Sequence, residues 1–327
     1  MWRTLTSGVA AAAALGLAAT PAARAAEWTP TRDITFMIPY APGGGFDVIT
    51  RKLSPYVEKY LGGKVHVVPK NVQGARGTKA AIELTRSRPD GTKIMIFNMP
   101  GHAVDNIKGD TKNYDMNKFT WLARIAKGEY VMVVSGSSPY KTFQDILDLK
   151  RPVKNPELGP GGTSFMTSTI LWRTLGKEVQ FITGYKGSSE YALAVVRGDG
   201  DITMLASGSF RRYIGGGDKK RKIGPRDLRP VLELTDNSKF GVKTAKDYGH
   251  PELDALGLDR VLATVPGTPG NIASVLDAAL RKAINDPEFA AWADKVGQGP
   301  VAYLNGAATA KSVKSQIEIY KKYADAL

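Results

Sequence analysis

The first hundred residues alternate between apolar runs and helical spacing. A continuous apolar run at 33–40 predicts a strand that ends at Pro42 and the glycines after it. From Asp47 to Leu61, apolar residues recur every three or four positions, which predicts a helix with one buried face. Two further strands are predicted at 64–71 and in "GTKIMIFNM", with the helical segment "TKAAIELTRS" between them.

The same alternation continues through "YVMVVSG", "TFQDILDLK", a helix at 163–175, "VQFITGY", "SSEYALAVVRG" and "DITML", and the chain ends in three helical segments. Strands that alternate with helices through short glycine-rich connections predict mostly parallel sheets covered by helices on both faces. At roughly 150 residues per domain, this length favours two α/β domains.

The N-terminal segment has the features of a cleaved secretory signal. Arg3 provides a basic start, 9–19 is apolar and alanine-rich, and Ala23-Arg24-Ala25 forms a cleavage site before Ala26. The apolar run is about a dozen residues long, short of the roughly 20 that cross a bilayer. We therefore expect residues 1–25 to be removed, leaving a periplasmic protein that is not embedded in a membrane.

Composition narrows the chemistry. The chain contains no cysteine, which excludes disulfides, thiol catalysis and thiolate metal sites. Its three histidines, His66, His102 and His250, are not at metal-ligand spacing, and no cofactor is predicted. The net charge of +14 favours an anionic partner, whether nucleic acid, a membrane surface or a small acid.

A glycine loop, which we define as Pro39–Asp47 ("PYAPGGGFD"), joins the first strand to the first helix. This arrangement aims free backbone N–H groups at an anion. Nucleotide-binding versions do not fit, because Val48 stands where a third glycine is needed and no Gly-Lys-Ser/Thr follows. In the alternative interpretation, the glycines only turn the chain and Asp47 caps the helix.

The segment 34–77, beginning "ITFMIPYAPGGGFDVITRKL", closely resembles the start of Bug-type solute-binding proteins, the extracytoplasmic receptors of tripartite tricarboxylate transporters. Three later pieces resemble the same family in the same order. These are "SRPDGTKIMI", "TGYKGSSEYALAVVRGDGDITML" and "ATVPGTPGNIASVLDAALRKAINDPEF". The resemblance covers nearly the whole chain after the leader.

The resemblance implies a two-lobed periplasmic-binding-protein fold of type II. Each lobe is expected to be a mostly parallel sheet flanked by helices, with the ligand cleft between the lobes. Lobe I is expected at 26–126 and 260–327, and lobe II at 127–259. A monomer would capture a small carboxylate and deliver it to the membrane subunits of a transporter.

The resemblance also implies which residues hold the carboxylate, partly through ordered waters. The glycine loop and a second loop, which we define as Gly159–Ser168 ("GPGGTSFMTS"), contribute most of them, and Tyr185 and Ser207 lie in later family segments. The expected ligand-binding residues are Ala41, Pro42, Gly43, Gly44, Gly45, Phe46, Asp47, Gly161, Gly162, Thr163, Ser164, Phe165, Tyr185 and Ser207.

Two departures from the family pattern bear on the ligand. Phe46 stands where a small polar residue is common, and Met166 or a neighbour stands where members often carry a histidine. If Phe46 and Phe165 both face the cleft, they favour an aromatic acid of the benzene-carboxylate type. Packing is the alternative role for both rings and for Tyr185.

Two other functions compete with the receptor. An exported hydrolase of a small ester or amide is the alternative, although the chain has neither G-x-S-x-G nor H-E-x-x-H. The basic segment 218–230, "DKKRKIGPRDLRP", is compatible with nucleic acid but has no interleaved aromatics, so a solvated loop is favoured and no nucleic-acid partner is expected.

Overall fold

The computed structural model describes residues 1–2, 28–160, 162–185, 187–210, 224, 226–235, 237–299 and 301–326. The signal peptide predicted at 1–25, apart from its first two residues, lies outside these ranges. So do Gly161 and most of the basic segment 218–230.

The chain forms eleven strands and ten α-helices within the described ranges. The first part contains β1 (Ile34–Ile38), α1 (Gly45–Tyr60), β2 (Val67–Asn71), α2 (Thr78–Thr85), β3 (Lys93–Met99), α3 (Val104–Ile107) and β4 (Thr120–Gly128). The middle part contains β5 (Tyr130–Ser135), α4 (Phe143–Leu147), β6 (Val153–Pro156), α5 (Thr163–Thr174), β7 (Val179–Ile182), α6 (Ser188–Arg197), β8 (Thr203–Ala206), α7 (Ser207–Phe210) and β9 (Leu228–Leu234). The last part contains β10 (Leu258–Thr264), α8 (Gly270–Ile284), α9 (Pro287–Lys295), β11 (Val301–Asn305) and α10 (Gly306–Lys321).

The strands form two lobes. Lobe I is built on a six-stranded sheet in the order β11-β4-β10-β3-β1-β2. Lobe II contains a three-stranded sheet, β8-β5-β9, and a two-stranded sheet, β6-β7. The chain passes from one lobe to the other where β4 is followed by β5, and it returns along β10.

The prediction of mostly parallel sheets is wrong, although the α/β architecture is as expected. β1 runs parallel to β2 and β3, and β6 runs parallel to β7, whereas the other pairs are antiparallel. The direction of β10 explains much of the difference. β4 carries the chain out of lobe I and β10 carries it back, so the two strands lie side by side in opposite directions.

Helices pack on both faces of the six-stranded sheet. On one face, α1 and α8 contribute Ile49, Leu53, Leu276 and Leu280, all fully buried. Apolar positions of α1 recur at i, i+4 and i+8, so they form one stripe. Burying each such side chain stabilises the fold by about 1.5–3 kcal/mol.

The C-terminal helix α10 connects the core of lobe I to lobe II. Val313, Ile317 and Tyr320 are buried along one face of α10, in a cluster that also contains Trp172 from α5. The Thr167 hydroxyl of α5 lies 3.1 Å from the Tyr320 hydroxyl. The two lobes therefore share a continuous apolar core behind their cleft.

None of the helices within the described ranges combines the length and the apolar character needed to cross a bilayer.

Candidate ligand-binding site

The glycine loop delivers the chain into the first helix of lobe I. β1 ends at Ile38, and α1 begins at Gly45 with Gly44 as its N-cap. Gly43 has a φ of 81°, a left-handed conformation that glycine adopts without strain. Because Gly44 has no side chain, it leaves the first amides of α1 without a side-chain cap. The positive end of a 16-residue helix is therefore presented by bare backbone.

Asp47 holds this loop in shape. Its carboxylate accepts hydrogen bonds from Gly43 N, Arg51 Nε and Asn71 Nδ2, each 2.9 Å long. Burial alone would raise the pKa of the Asp47 carboxyl, but these hydrogen bonds outweigh it and lower the pKa to about 2. The carboxylate reaches back to Gly43, the residue before the N-cap, and is also held by Arg51 in α1 and Asn71 in β2. It accepts no hydrogen bond from the first turn of α1, so Asp47 fixes the shape of the loop and is not the helix cap considered from the sequence.

The second loop enters α5 in a similar way. α5 begins at Thr163 with Gly162 as its N-cap, again without a side-chain cap. Ser164 Oγ donates to Glu157 Oε2 at 2.7 Å, and Ser168 Oγ donates to Glu157 Oε1 at 3.1 Å. Burial raises the pKa of Glu157 to about 7, although these hydroxyls and backbone N–H groups oppose the rise. The Ser164 hydroxyl is thus already engaged inside lobe II.

Asn98, at the end of β3, connects the two loops. Its Nδ2 donates to Tyr40 Oη at 3.0 Å and lies 3.1 Å from Thr163 Oγ1. Burial raises the pKa of Tyr40 to about 12, so this phenol stays protonated at neutral pH. The glycine loop, β3 and the start of α5 therefore meet at one amide side chain.

The two phenylalanines expected in the cleft have separate surroundings. The Phe46 ring lies 5.0 Å from the Tyr40 ring, edge-on, and 5.4 Å from the guanidinium of Arg260. The Phe165 ring lies 4.6 Å from the Phe181 ring within lobe II. Tyr185 packs against the apolar cluster of lobe II.

A cavity of about 220 Å³ lies between the lobes, where the chain crosses from one to the other. We call it the cleft cavity. Lobe I contributes Gly45, Arg260 and Gln298, and lobe II contributes Ser188, Ser207 and Ser209. Of the residues expected from the sequence, it brings together Gly45 and Ser207. Since small-molecule sites usually measure about 300–1,000 Å³, this cavity fits a small solute.

The cleft cavity carries an excess of positive charge. Among its lining residues, Lys239 is paired with Glu129 at 2.5 Å. Lys127 and Arg260 also line it, and within the described ranges neither forms an ion pair. Burial lowers the pKa of Arg260 to about 10, while the nearby Tyr130 and Asp259 oppose the change. The guanidinium therefore remains charged at neutral pH.

Two glycine backbones meet at the wall of the cavity. A Cβ added to Gly208 in lobe II would lie 1.9 Å from the carbonyl oxygen of Gly297 in lobe I. A Cβ on Gly297 would lie 2.8 Å from the carbonyl oxygen of Gly208. The lobes approach this closely only because neither residue has a side chain.

The remaining expected residues lie elsewhere or are reached indirectly. Ala41, Pro42, Gly43 and Gly44 are exposed and do not line the cleft cavity. Thr163 is linked to the glycine loop through Asn98, and Gly161 lies outside the described residues.

Sequence reasoning missed Arg260, Lys127 and Gln298. Arg260 could have been noticed because it is a charged residue directly before the apolar and small residues "VLAT" in the segment "LDRVLAT".

In the part of the chain that the structure describes, no cluster of three or more histidine or acidic side chains could hold a metal ion. What the fold presents is a polar, positively charged cavity between two lobes joined by crossing strands. This is the arrangement of a two-lobed binding protein.

Comparison with known proteins agrees with this class. The profile described as "Tripartite tricarboxylate transporter family receptor" (TctC) matches residues 49–324. A UPF0065 protein of Cupriavidus necator is 30% identical over 95% of each chain. The chain therefore belongs to the tripartite tricarboxylate transporter receptor family, the group that includes Bug-type solute-binding proteins.

Solved structures support the fold. A TctC solute-binding protein from Polaromonas matches with a TM-score of 0.76 and 22% identity, covering 91% of this chain and 99% of the other. MatC of Rhodopseudomonas palustris, solved with bound malate, matches with a TM-score of 0.70 and 20% identity, covering 90% and 99%. The two-lobed periplasmic-binding-protein fold expected from the sequence is confirmed.

Proposed function

We propose that this chain is a periplasmic receptor that captures a small carboxylate between its lobes and delivers it to the membrane subunits of a tripartite tricarboxylate transporter. The observation that carries the proposal is the cleft cavity, which combines uncapped helix starts with unpaired positive charge. Membership of the receptor family supports the delivery step, and the signal peptide predicted at 1–25 supports export.

A carboxylate leaves water only when several converging donors replace its hydration. Gly45 places the start of α1 at the cavity from lobe I. Ser188 places the start of α6 there from lobe II, where the N-cap Gly187 again supplies no side chain. Two helix N-termini and the nearby cations favour a bound anion.

A ligand that touches both lobes stabilises the arrangement in which the lobes meet. Gly45 and Ser188 belong to different lobes, so an anion held by both bridges the cleft. We propose lobe boundaries as predicted from the sequence, at 26–126 and 260–327 for lobe I and 127–259 for lobe II. A monomer that closes on its ligand would be the form that the transporter engages.

The ligand class follows from size and charge. The cleft cavity favours a small acid, and MatC, which shares the fold, was solved with malate. An aromatic body was expected because of Phe46 and Phe165, yet neither is a lining residue of the cavity. We therefore propose small aliphatic acids first, and benzoate and phthalate test the aromatic alternative.

The test is a thermal-shift panel on mature protein stripped of ligand by unfolding and refolding. The panel contains mono-, di- and tricarboxylates, both aliphatic and aromatic, each beside its methyl ester. At 100 times its Kd, a ligand adds about 2.7 kcal/mol of stability. A carboxylate that raises Tm while its esters do not supports the receptor. A flat panel together with ester turnover contradicts it and favours the hydrolase.

A further inference from the structure

Arg260 is a cation in the interior of lobe I, which is energetically unfavourable for a charged side chain. It lies in β10, which is hydrogen-bonded on one side to β3 and on the other to β4, in the middle of the six-stranded sheet. Its Nε is buried and has no hydrogen-bond partner. Burying a charge without a partner destabilises a protein interior. A buried cation that faces a cavity is therefore a candidate functional residue.

Neither Asp259 nor Glu129 forms a hydrogen bond or an ion pair with Arg260 among the described residues. Asp259, next to Arg260 in the strand, uses Oδ2 to accept from Gln316 Nε2 at 2.8 Å and to pair with Arg124 at 3.4 Å, while its Oδ1 has no hydrogen-bond partner. Glu129, across the cavity, pairs with Lys239. Within the described residues, Arg260 is thus left with the face of Phe46 and the interior of the cavity.

Phe46 holds the guanidinium without neutralising it. Its ring lies 5.4 Å from the guanidinium carbon. An aromatic face orients a planar guanidinium and leaves the N–H fork available for a carboxylate. This gives a physical role to the aromatic residue at position 46.

Lys127 adds a second positive charge to the same cavity, and the structure pairs it with no carboxylate among the described residues. Two unpaired cations are matched by a ligand with two negative charges. The cavity is small enough that a short aliphatic chain would join them.

We propose that Arg260 is the specificity-determining residue that receives a second carboxylate of the ligand, so that this receptor selects short dicarboxylates over monocarboxylates. The inference rests on the receptor function proposed above. One carboxylate lies at the start of α1, and the other forms a forked pair with Arg260.

The experiment is isothermal titration of mature, ligand-free protein with succinate, malate and adipate, each beside its monomethyl ester. Arg260→Met removes the charge and keeps much of the side-chain volume. Arg260→Lys keeps the charge and removes the fork. Arg173→Met, at an exposed arginine paired with Asp325, is the matched control.

The wild type should bind at least one diacid about tenfold or more tighter than its monoester, the size expected of a charge-assisted hydrogen bond. Arg260→Met should bind the diacid and the monoester alike, and Arg260→Lys should retain part of the preference. Arg173→Met should match the wild type. The Tm of ligand-free Arg260→Met should equal or exceed that of the wild type, because an unpaired buried charge is gone.

The outcomes separate the two proposals. Monoesters that bind the wild type as tightly as the diacids would overturn the role of Arg260 and leave the carboxylate receptor standing. A lower Tm in Arg260→Met with an unchanged diacid preference would make Arg260 a packing residue and overturn the inference as well. If no acid binds the wild type, both proposals fail.

Discussion

Asn98 Nδ2 lies 3.1 Å from Thr163 Oγ1, which places the end of β3 in lobe I within hydrogen-bond distance of the first residue of α5 in lobe II. The same amide donates to Tyr40 Oη in the glycine loop. A contact of this kind joins the lobes directly, so it contributes to the free energy of the arrangement in which they meet.

Thr163→Val should weaken ligand binding about fivefold. Valine keeps the shape of threonine and removes the acceptor, and a hydrogen bond contributes about 1 kcal/mol net. Titration of wild type and variant with the same acid measures the change. Thr169→Val is the control, because the Thr169 hydroxyl donates to Phe165 O within α5. Equal losses in both variants would assign the effect to the helix.

Gly208→Ala should lower ligand affinity by about tenfold or more while the protein stays folded. The new Cβ would lie 1.9 Å from Gly297 O, so the lobes must separate there before a ligand can be held between them. Titration gives the affinity, and small-angle scattering gives the separation of the lobes. Gly270→Ala is the control, since a Cβ there would meet no atom within 4 Å. Wild-type affinity in Gly208→Ala would refute the idea that the lobes meet when ligand is bound.

Asp47→Asn should lower the free energy of unfolding by about 2 kcal/mol near neutral pH. The substitution replaces the buried carboxylate by a neutral amide, which weakens the three hydrogen bonds that the carboxylate accepts. The Asp47 pKa is held at about 2, below its value in the unfolded chain. The stabilisation is therefore complete above about pH 4 and is lost as pH falls to about 2. Urea unfolding across this range measures it.

Asp199→Asn provides the comparison for Asp47. Asp199 forms an exposed pair with Arg197, whose loss should cost well under about 1 kcal/mol. If Asp47→Asn were no more destabilising than Asp199→Asn, the loop would not depend on the Asp47 carboxylate.

His102 should make the protein sensitive to mild acid. Burial lowers its pKa to about 4, against about 6.5 in the unfolded chain, although a backbone hydrogen bond with Asn98 opposes the shift. The folded state takes up the proton less readily, so stability is complete above about pH 6.5 and falls as pH is lowered to about 4.

Urea unfolding of wild type and His102→Leu at several pH values tests this. The wild type should lose roughly 3 kcal/mol more than the variant between about pH 6.5 and 4. His66 and His250 are present in both proteins and cancel in the comparison. Parallel curves for the two proteins would show that His102 is not responsible.

The sequence predicted the two glycine-led helices well. The helix expected at 47–61 is Gly45–Tyr60, and the helix expected at 163–175 is Thr163–Thr174. Both predictions succeeded because glycines and an apolar periodicity mark these boundaries locally.

The strands that the sequence missed include those that define the cleft. In β10, Asp259 and Arg260 stand side by side and interrupt the apolar run, so "LDRVLAT" does not look like a central strand. In the folded protein, Asp259 pairs with Arg124 and Arg260 lines the cleft cavity. Because neither β10 nor β4 was predicted as a strand, the antiparallel pairing of the large sheet could not be predicted either.

The candidate site was only partly predictable for a related reason. Gly45 and Ser207 belong to glycine- and serine-rich turns, which can be recognised from the neighbouring residues alone. Arg260 and Gln298 reach the same cavity from segments far away in the chain, and only the folded topology brings them together.

The most direct measurement is a crystal structure of the mature protein with the tightest-binding acid from the panel. We expect a carboxylate in the cleft cavity, within hydrogen-bond distance of the backbone amides at the start of α1, with both lobes in contact with the ligand. An acid bound outside this cavity, or held by one lobe alone, would contradict it.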